Sequence, residues 1–282
     1  MFLRRIIPFS EAQAEDAIGG KAKNLVLLYQ SQFPVPKGFI IKSYAFELIH
    51  HKNQGPHLII SELLRQEIEE AYQKYVTPPV VVRSSCATED LELASFAGQY
   101  ETILSITSDN LLESIKRCWL SIYQDHAQSY LTQRFSQVDE APAMSIIVQE
   151  LVNADVAGVI FSKNPITGNG NEIVINSNFG LGEAVGSGLV TPDFFILSKQ
   201  GTSIRKMVLG EKECKIVHKQ DGTHSVATTP EEKSSFSLRS EQLHELQKVT
   251  VAIETLFGHP VDLEFAYKQG KLYILQARQI TT

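Results

Sequence analysis

The sequence predicts an α+β fold of two lobes, with mainly antiparallel sheets and flanking helices. Three observations predict it. Apolar stripes at helical spacing recur at 61–76, 109–133 and 241–257; short apolar runs of strand length fill the intervals between them; and no repeat or Gly/Ser linker cuts the chain into independent pieces. At 282 residues the chain is long enough to bury a substantial interior in one large domain or in two lobes.

Taken in order, "SELLRQEIEEAYQKYV" at 61–76 sets Leu64, Ile68, Ala71 and Tyr75 on one helical stripe behind a Ser61 cap. "PPVVVRSS" at 78–85 reads as a buried strand that enters a polar loop. The stretch 109–133 spaces Leu112, Ile115, Trp119, Ile122, His126 and Tyr130 three or four apart, the pattern of a long amphipathic helix. "MSIIVQELV" (144–152) and "VAGVIFS" (156–162), joined by "NAD", read as adjacent antiparallel strands. Short strand-like runs follow: "EIVINS", "FFILS", "SIRKMVLG" and "CKIVH". A helix at 241–257, with Leu243, Leu246, Ile253 and Phe257 among its apolar positions, leads into a hairpin over 261–278.

Composition narrows the function. Apolar residues make up 43% and charged residues 21%, which is the balance of a globular protein. The net charge of −6 argues against broad phosphate-backbone contact, so no nucleic-acid partner is expected. No apolar run reaches bilayer length and the N-terminal residues do not read as a secretory signal, so neither a membrane partner nor export is expected, and the cytoplasm is the default location. The three cysteines are far apart with no C-x-x-C, and the eight histidines include one adjacent pair, His50-His51, with no acidic partner at metal-ligand spacing.

The polar residues of "VDLEFAYKQGKLYILQAR" (261–278) interrupt an otherwise apolar hairpin. Strand alternation places Asp262 and Glu264 on one face, and Gln276 and Arg278 on one face of the returning strand. Pairing centred on Gly270 sets Glu264 opposite Gln276 and Asp262 opposite Arg278. Two readings fit this patch. A carboxylate beside an amide oxygen suits Mg²⁺, with Arg278 stabilising charge on a transferring phosphoryl group. Alternatively, the patch is a solvent-facing face with an Asp–Arg cross-strand ion pair.

Three further segments bear on chemistry. In "IGGKAKNLVLL" (18–28) two glycines and Lys21 precede a helical pattern, a possible phosphate site that lacks the remainder of a Walker A motif. "RSSCATEDLELASFAGQYET" (83–102) starts at Arg83 and reads as a long loop whose small Ala97 and Gly98 would let it lie over a ligand. "GLGEAVGSG" (180–188) does not keep the G-x-G-x-x-G spacing of a dinucleotide fingerprint and has no βαβ unit around it.

These pieces, together with "VPKGF" (35–39), "IKRCWLS" (115–121), "VQELV" (148–152), "AGVIFSKNPITG" (157–168) and "GLGEAVGSGLVTPD" (180–193), run collinearly from residue 19 to 281. In that order they resemble the N-terminal nucleotide-binding domain of the phosphoenolpyruvate synthase, pyruvate phosphate dikinase and rifampin phosphotransferase family. The resemblance implies a two-lobed ATP-grasp fold gripping ATP, with approximate lobes at 1–147 and 148–282 and no phosphohistidine or PEP/pyruvate-binding domain. It implies phosphate contacts from Lys21 and Arg83, and a covering loop around Ala97, Gly98 and Thr102. Gln149, Glu150 and Val152 would lie by the adenine edge. Asp262, Glu264 and Gln276 would organise Mg²⁺, with Asp262 also at the nucleotide and Glu264 and Gln276 as the metal ligands. Arg278 would sit on the phosphoryl group, so that Arg278, Arg83 and Lys21 form the catalytic set.

In this family ATP is cleaved to AMP and a phosphoryl group passes to a histidine on a separate domain. None of the eight histidines here sits in the Gly/Thr-Ser-His context of that group, so the resemblance implies a phosphohistidine-domain protein or a small-molecule acceptor supplied in trans, or a fragment of a longer chain. Gln279, Asn164 and Ala157 depart from the family's usual Pro, Asp and Ser, while the carboxylates, Gln276 and both arginines are retained, which favours a working enzyme. An ADP-forming ATP-grasp kinase or ligase and a non-catalytic nucleotide-binding subunit are the alternatives.

Overall fold

A computed structural model describes residues 4–13, 16–45, 60–86, 102–121 and 144–280. The chain divides into two compact units, Met1–Gln32 with Pro36–Leu151, and Phe33–Val35 with Val152–Thr282. The boundary falls after strand β5 (Met144–Glu150), whereas the expected one after residue 147 would cut through that strand.

The first unit is built on an antiparallel sheet of β1 (Ile6–Pro8), β2 (Gly38–Ile41), β5, β3 (Val80–Cys86) and β4 (Thr102–Ile106), in the order β1-β2-β5-β3-β4. Alternation along β2, β3 and β5 turns Phe39, Ile41, Val80, Val82, Ile146 and Val148 to one face. There they bury against helices α2 (Glu62–Tyr75) and α3 (Leu111–Leu120), and each fully buried side chain of this size contributes about 1.5–3 kcal/mol. The Ser61 hydroxyl caps α2 by accepting the Leu64 N–H at 3.3 Å, as expected. Tyr72 is the buried tyrosine of the stripe, with Tyr75 half-buried at its edge. Helix α3 buries Ile115 and Trp119; Ile122, His126 and Tyr130 lie outside the described residues. Helix α1 (Gly20–Gln30) bonds to the opposite face of the sheet.

The second unit is a six-stranded antiparallel sheet ordered β13-β12-β6-β7-β8-β9. Its strands are β6 (Val156–Phe161), β7 (Glu172–Phe179), β8 (Asp193–Ser198), β9 (Ile204–Val208), β12 (Val261–Lys268) and β13 (Lys271–Gln279). Between β7 and β8 lies the short helix α4 (Glu183–Gly186). Strands β10 (Cys214–Lys219) and β11 (Gly222–Ala227) form a separate hairpin, followed by α5 (Pro230–Ser234) and α6 (Ser240–Phe257). Helix α6 packs on β12 and buries Leu243, Leu246 and Ile253, while Phe257 at its end stays partly exposed. Gly258 terminates it at φ +73°, the left-handed cap that glycine adopts without strain.

One expected pairing is overturned. β5 and β6 are not hairpin partners: β5 pairs with β2 and β3, and β6 with β12 and β7. The backbone at either end of the connection bonds elsewhere, Leu151 N–H to the Pro79 carbonyl at 2.9 Å and Asp155 N–H to the Tyr267 carbonyl at 2.8 Å. No helix among the described residues is long and apolar enough to cross a membrane.

Candidate functional site

The hairpin of β12 and β13 turns through Gln269 and Gly270, at φ +52° and +76°, the two positive angles of a type I′ turn. From that two-residue turn the ladder runs regularly from Lys268–Lys271 to Phe265–Ile274. Continued without interruption, it would set Leu275 opposite Glu264 and turn Gln276 and Arg278 to the apolar face with Leu263 and Val261. A β-bulge prevents this. Leu275 is the extra residue, and beyond it Glu264 pairs with Gln276, Leu263 with Ala277 and Asp262 with Arg278. The four polar residues therefore share one face of the sheet, with Leu263, Phe265, Ile274 and Ala277 buried on the other.

Within this patch, the Arg278 Nε donates to Asp262 Oδ2 at 2.6 Å. Asp262 is buried and Arg278 partly exposed. Burial pushes the Asp262 carboxyl above its ordinary range; Arg278 opposes that shift, and the neighbouring Glu264 adds to it.

The first unit gathers the N-terminal residues on strand β3. Gly19, the N-cap of α1, lies so close to this strand that a Cβ would stand 2.4 Å from the Ser85 carbonyl carbon. Its N–H donates to the Ser145 hydroxyl at 3.1 Å, and the Ala22 N–H to the Ser85 hydroxyl at 3.0 Å. The Ser145 hydroxyl in turn donates to the Ser85 carbonyl at 2.9 Å. Ser85 thus caps α1 from another strand, a role that the glycine at the N-cap cannot fill. Held this way, Lys21 places its Nζ 3.2 Å from the Ser84 carbonyl. Arg83, buried two residues before Ser85 on the same face, stands opposite Thr102 of β4. The structure therefore brings Lys21, Arg83 and Thr102 to one strand; Ala97 and Gly98 lie outside the described residues.

Gln149 and Glu150 close β5 with their side chains committed to the first unit. The Gln149 amide donates to the Pro36 carbonyl at 3.2 Å, and the Glu150 carboxylate accepts the Thr77 N–H at 3.0 Å. Val152 is buried and belongs to the second unit.

Comparison with known proteins adds a second line. The pyruvate phosphate dikinase AMP/ATP-binding domain family matches residues 56–282. The chain belongs to this family. An uncharacterised phosphotransferase of Bacillus subtilis, YvkC, is 40% identical over 96% of this chain and 34% of its own. Phosphoenolpyruvate synthase of Pyrococcus furiosus is 40% identical over 79% of this chain and 29% of its own, and rifampicin phosphotransferase of Bacillus cereus 30% identical over 94% and 34%. The chain thus spans about a third of the length of these curated relatives. Among solved structures, the D-Ala:D-Ser ligase VanG of Enterococcus faecalis is similar over 92% of this chain and 52% of its own, at 14% identity and a TM-score of 0.42.

As a member of this AMP/ATP-binding domain family, the chain carries supporting residues that sequence reasoning missed. Ser85 and Ser145 hold the start of α1 against β3, and the bulge at Leu275 sets the hairpin's polar face. The paired serines of "RSS" were visible as a polar end to an apolar strand, but their partners are many residues away in sequence.

Proposed function

We propose that this chain is an ATP-dependent, Mg²⁺-requiring phosphotransferase module of the cytoplasm. It cleaves ATP to AMP and passes a phosphoryl group to a histidine-bearing domain or small-molecule acceptor supplied in trans. The observation that carries the reading is the register of the β12–β13 hairpin in a chain of the AMP/ATP-binding domain family: a carboxylate and an amide residue directly opposite each other, with a guanidinium in the next pair on the same face, two pairs along the ladder.

The donor set fits the ion. Glu264 and Gln276 offer hard oxygens on neighbouring strands, and Mg²⁺ is held by one or two protein oxygens with waters and substrate phosphates making up the rest. Glu264 and Gln276 would hold it, and it would neutralise charge on the polyphosphate. Arg278, its Nε edge fixed by Asp262, stabilises charge on the transferring group. Lys21 and Arg83 bind phosphate oxygens, and Thr102 with Ala97 and Gly98 belongs to the segment that excludes water. Backbone around Gln149, Glu150 and Val152 borders the adenine; the Gln149 and Glu150 side chains have structural partners of their own. Phosphoryl transfer asks little covalent chemistry of the protein, so positioning and charge carry the rate.

The test is product analysis by phosphorus NMR with MgATP and candidate acceptors, including a phosphohistidine domain. AMP is expected, dependent on acceptor. ADP as the sole product would instead identify a kinase or ligase. Bound ATP with no product under any acceptor, and no effect of Glu264→Ala or Arg278→Ala on biological function, would identify a non-catalytic subunit.

A further inference from the structure

The face of the second sheet that carries Glu264 can be followed strand by strand, because directly opposed antiparallel residues share a face. The registers run from Gln276 to Glu264, from Glu264 to Val159, from Val159 to Asn176 and from Asn176 to Phe194. Asn176 is half-buried, with Val159 and Phe194 on either side of it. Asparagine is depleted from strands, where valine or threonine serves the ladder better, so structure alone does not account for an amide here. The next residue along β7 on that face, Asn178, donates its amide to the Cys214 carbonyl at 2.9 Å. The Asn176 side chain has no hydrogen-bond partner among the described residues.

We propose that Asn176 binds the ribose hydroxyls of the nucleotide whose phosphates are held at Glu264, Gln276 and Arg278; this inference rests on the ATP reading above. Asn176 lies two strands from Glu264, about 10 Å across the sheet, so it is displaced from the metal pair in the way the sugar is displaced from the terminal phosphates. An amide supplies both a donor and an acceptor, which a vicinal diol uses fully and a phosphate does not. The residues opposite it are apolar, and a polyphosphate would want cations there.

The experiment is equilibrium binding of MgATP and of Mg-2′,3′-dideoxy-ATP to the wild type, Asn176→Val and Asn176→Thr, with thermal melts to verify folding. Wild type should prefer ATP by roughly three- to tenfold, the range of one or two neutral hydrogen bonds. Asn176→Val should lose that preference by weakening ATP binding alone, and Asn176→Thr, which replaces the amide with a hydroxyl that still donates and accepts, should retain part of it. ATP binding without any preference in the wild type, or equal weakening of both nucleotides by Asn176→Val, overturns this inference and leaves the ATP reading standing. Failure of the wild type to bind MgATP at all overturns both.

Discussion

Arg278 and Asp262 face each other across β12 and β13, and two guanidinium nitrogens, Nε and one terminal nitrogen, each lie 2.6 Å from the same carboxylate oxygen, Oδ2. The acid is buried while the guanidinium is partly exposed, so the pair fixes one edge of Arg278 and leaves its outer part toward the face shared with Glu264. An ion pair of this form is a poor source of stability for its buried member, because desolvation opposes the attraction.

That balance predicts a pH dependence. The folded Asp262 carboxyl has its pKa raised, chiefly by burial, so the folded state favours the protonated form. Its contribution is therefore greatest below the unfolded value of about 3.9 and is lost as pH rises through the higher folded value. In paired thermal melts, wild type should lose stability relative to Asp262→Asn as pH rises from about 3.5 to 6. A difference between the two that stays constant over this window would refute the assignment.

Removing Arg278 should separate catalysis from folding. Arg278→Ala leaves Asp262 buried without its cation, a cost of about 1–3 kcal/mol in denaturant titrations. If phosphoryl transfer is the activity, turnover should fall on the order of a thousandfold, more than this loss of stability explains, with Glu264→Ala falling by a hundredfold or more on the order-of-magnitude scale of such electrostatic groups. Turnover that falls only as the folded fraction falls would make both residues structural.

The hairpin's facing pairs were legible because period-two alternation and a Gly-containing turn leave few registers, but the path to them was not. Centring the turn on Gly270 gives the observed Glu264–Gln276 pair, yet the true turn is centred between Gln269 and Gly270, and the bulge at Leu275 makes up the missing step. Nothing in "LYILQAR" distinguishes a bulged leucine from a regular one. The apolar runs at 144–152 and 156–162 were both recognisable as strands, but their partners depend on backbone bonds to Pro79 and Tyr267, which local pattern does not encode. Lys21 and Arg83 stood out individually, whereas the serines that bring α1 to β3 act across 63 and 126 residues.

Gly19 is required for close approach, since its backbone at φ −73° and ψ 172° is open to any residue. In Gly19→Ala the new methyl would sit 2.4 Å from Ser85 backbone atoms, so α1 must move off β3 and the bonds to Ser145 and Ser85 must lengthen. The expected cost is about 1–3 kcal/mol, measured by chemical denaturation. If Lys21, on the same turn, contacts the phosphates as proposed, ATP binding should weaken beyond the change in folded fraction. Alanine with wild-type stability would show that the approach is looser than these contacts require.

Asp193 and Lys212 form an ion pair with both side chains fully buried, Nζ to Oδ1 at 2.7 Å. The carboxylate also accepts the Gly210 N–H at 2.8 Å and the Ser237 N–H at 2.7 Å, and the ammonium donates to the Gly210 carbonyl at 3.0 Å. The pair thereby ties the start of β8 to the segment before β10 and to the approach of α6. Deleting one partner leaves a charge in the interior with nothing to compensate it, so Lys212→Met or Asp193→Leu alone should cost about 3–5 kcal/mol. Asp193→Leu combined with Lys212→Met removes both charges and should recover much of that loss, although the Gly210 and Ser237 N–H groups then lack their acceptor. Denaturation of the two single variants and the double variant closes the cycle. Additive losses in the double variant would mean that the charges do not depend on each other, contrary to a geometry in which each is the other's buried counter-ion.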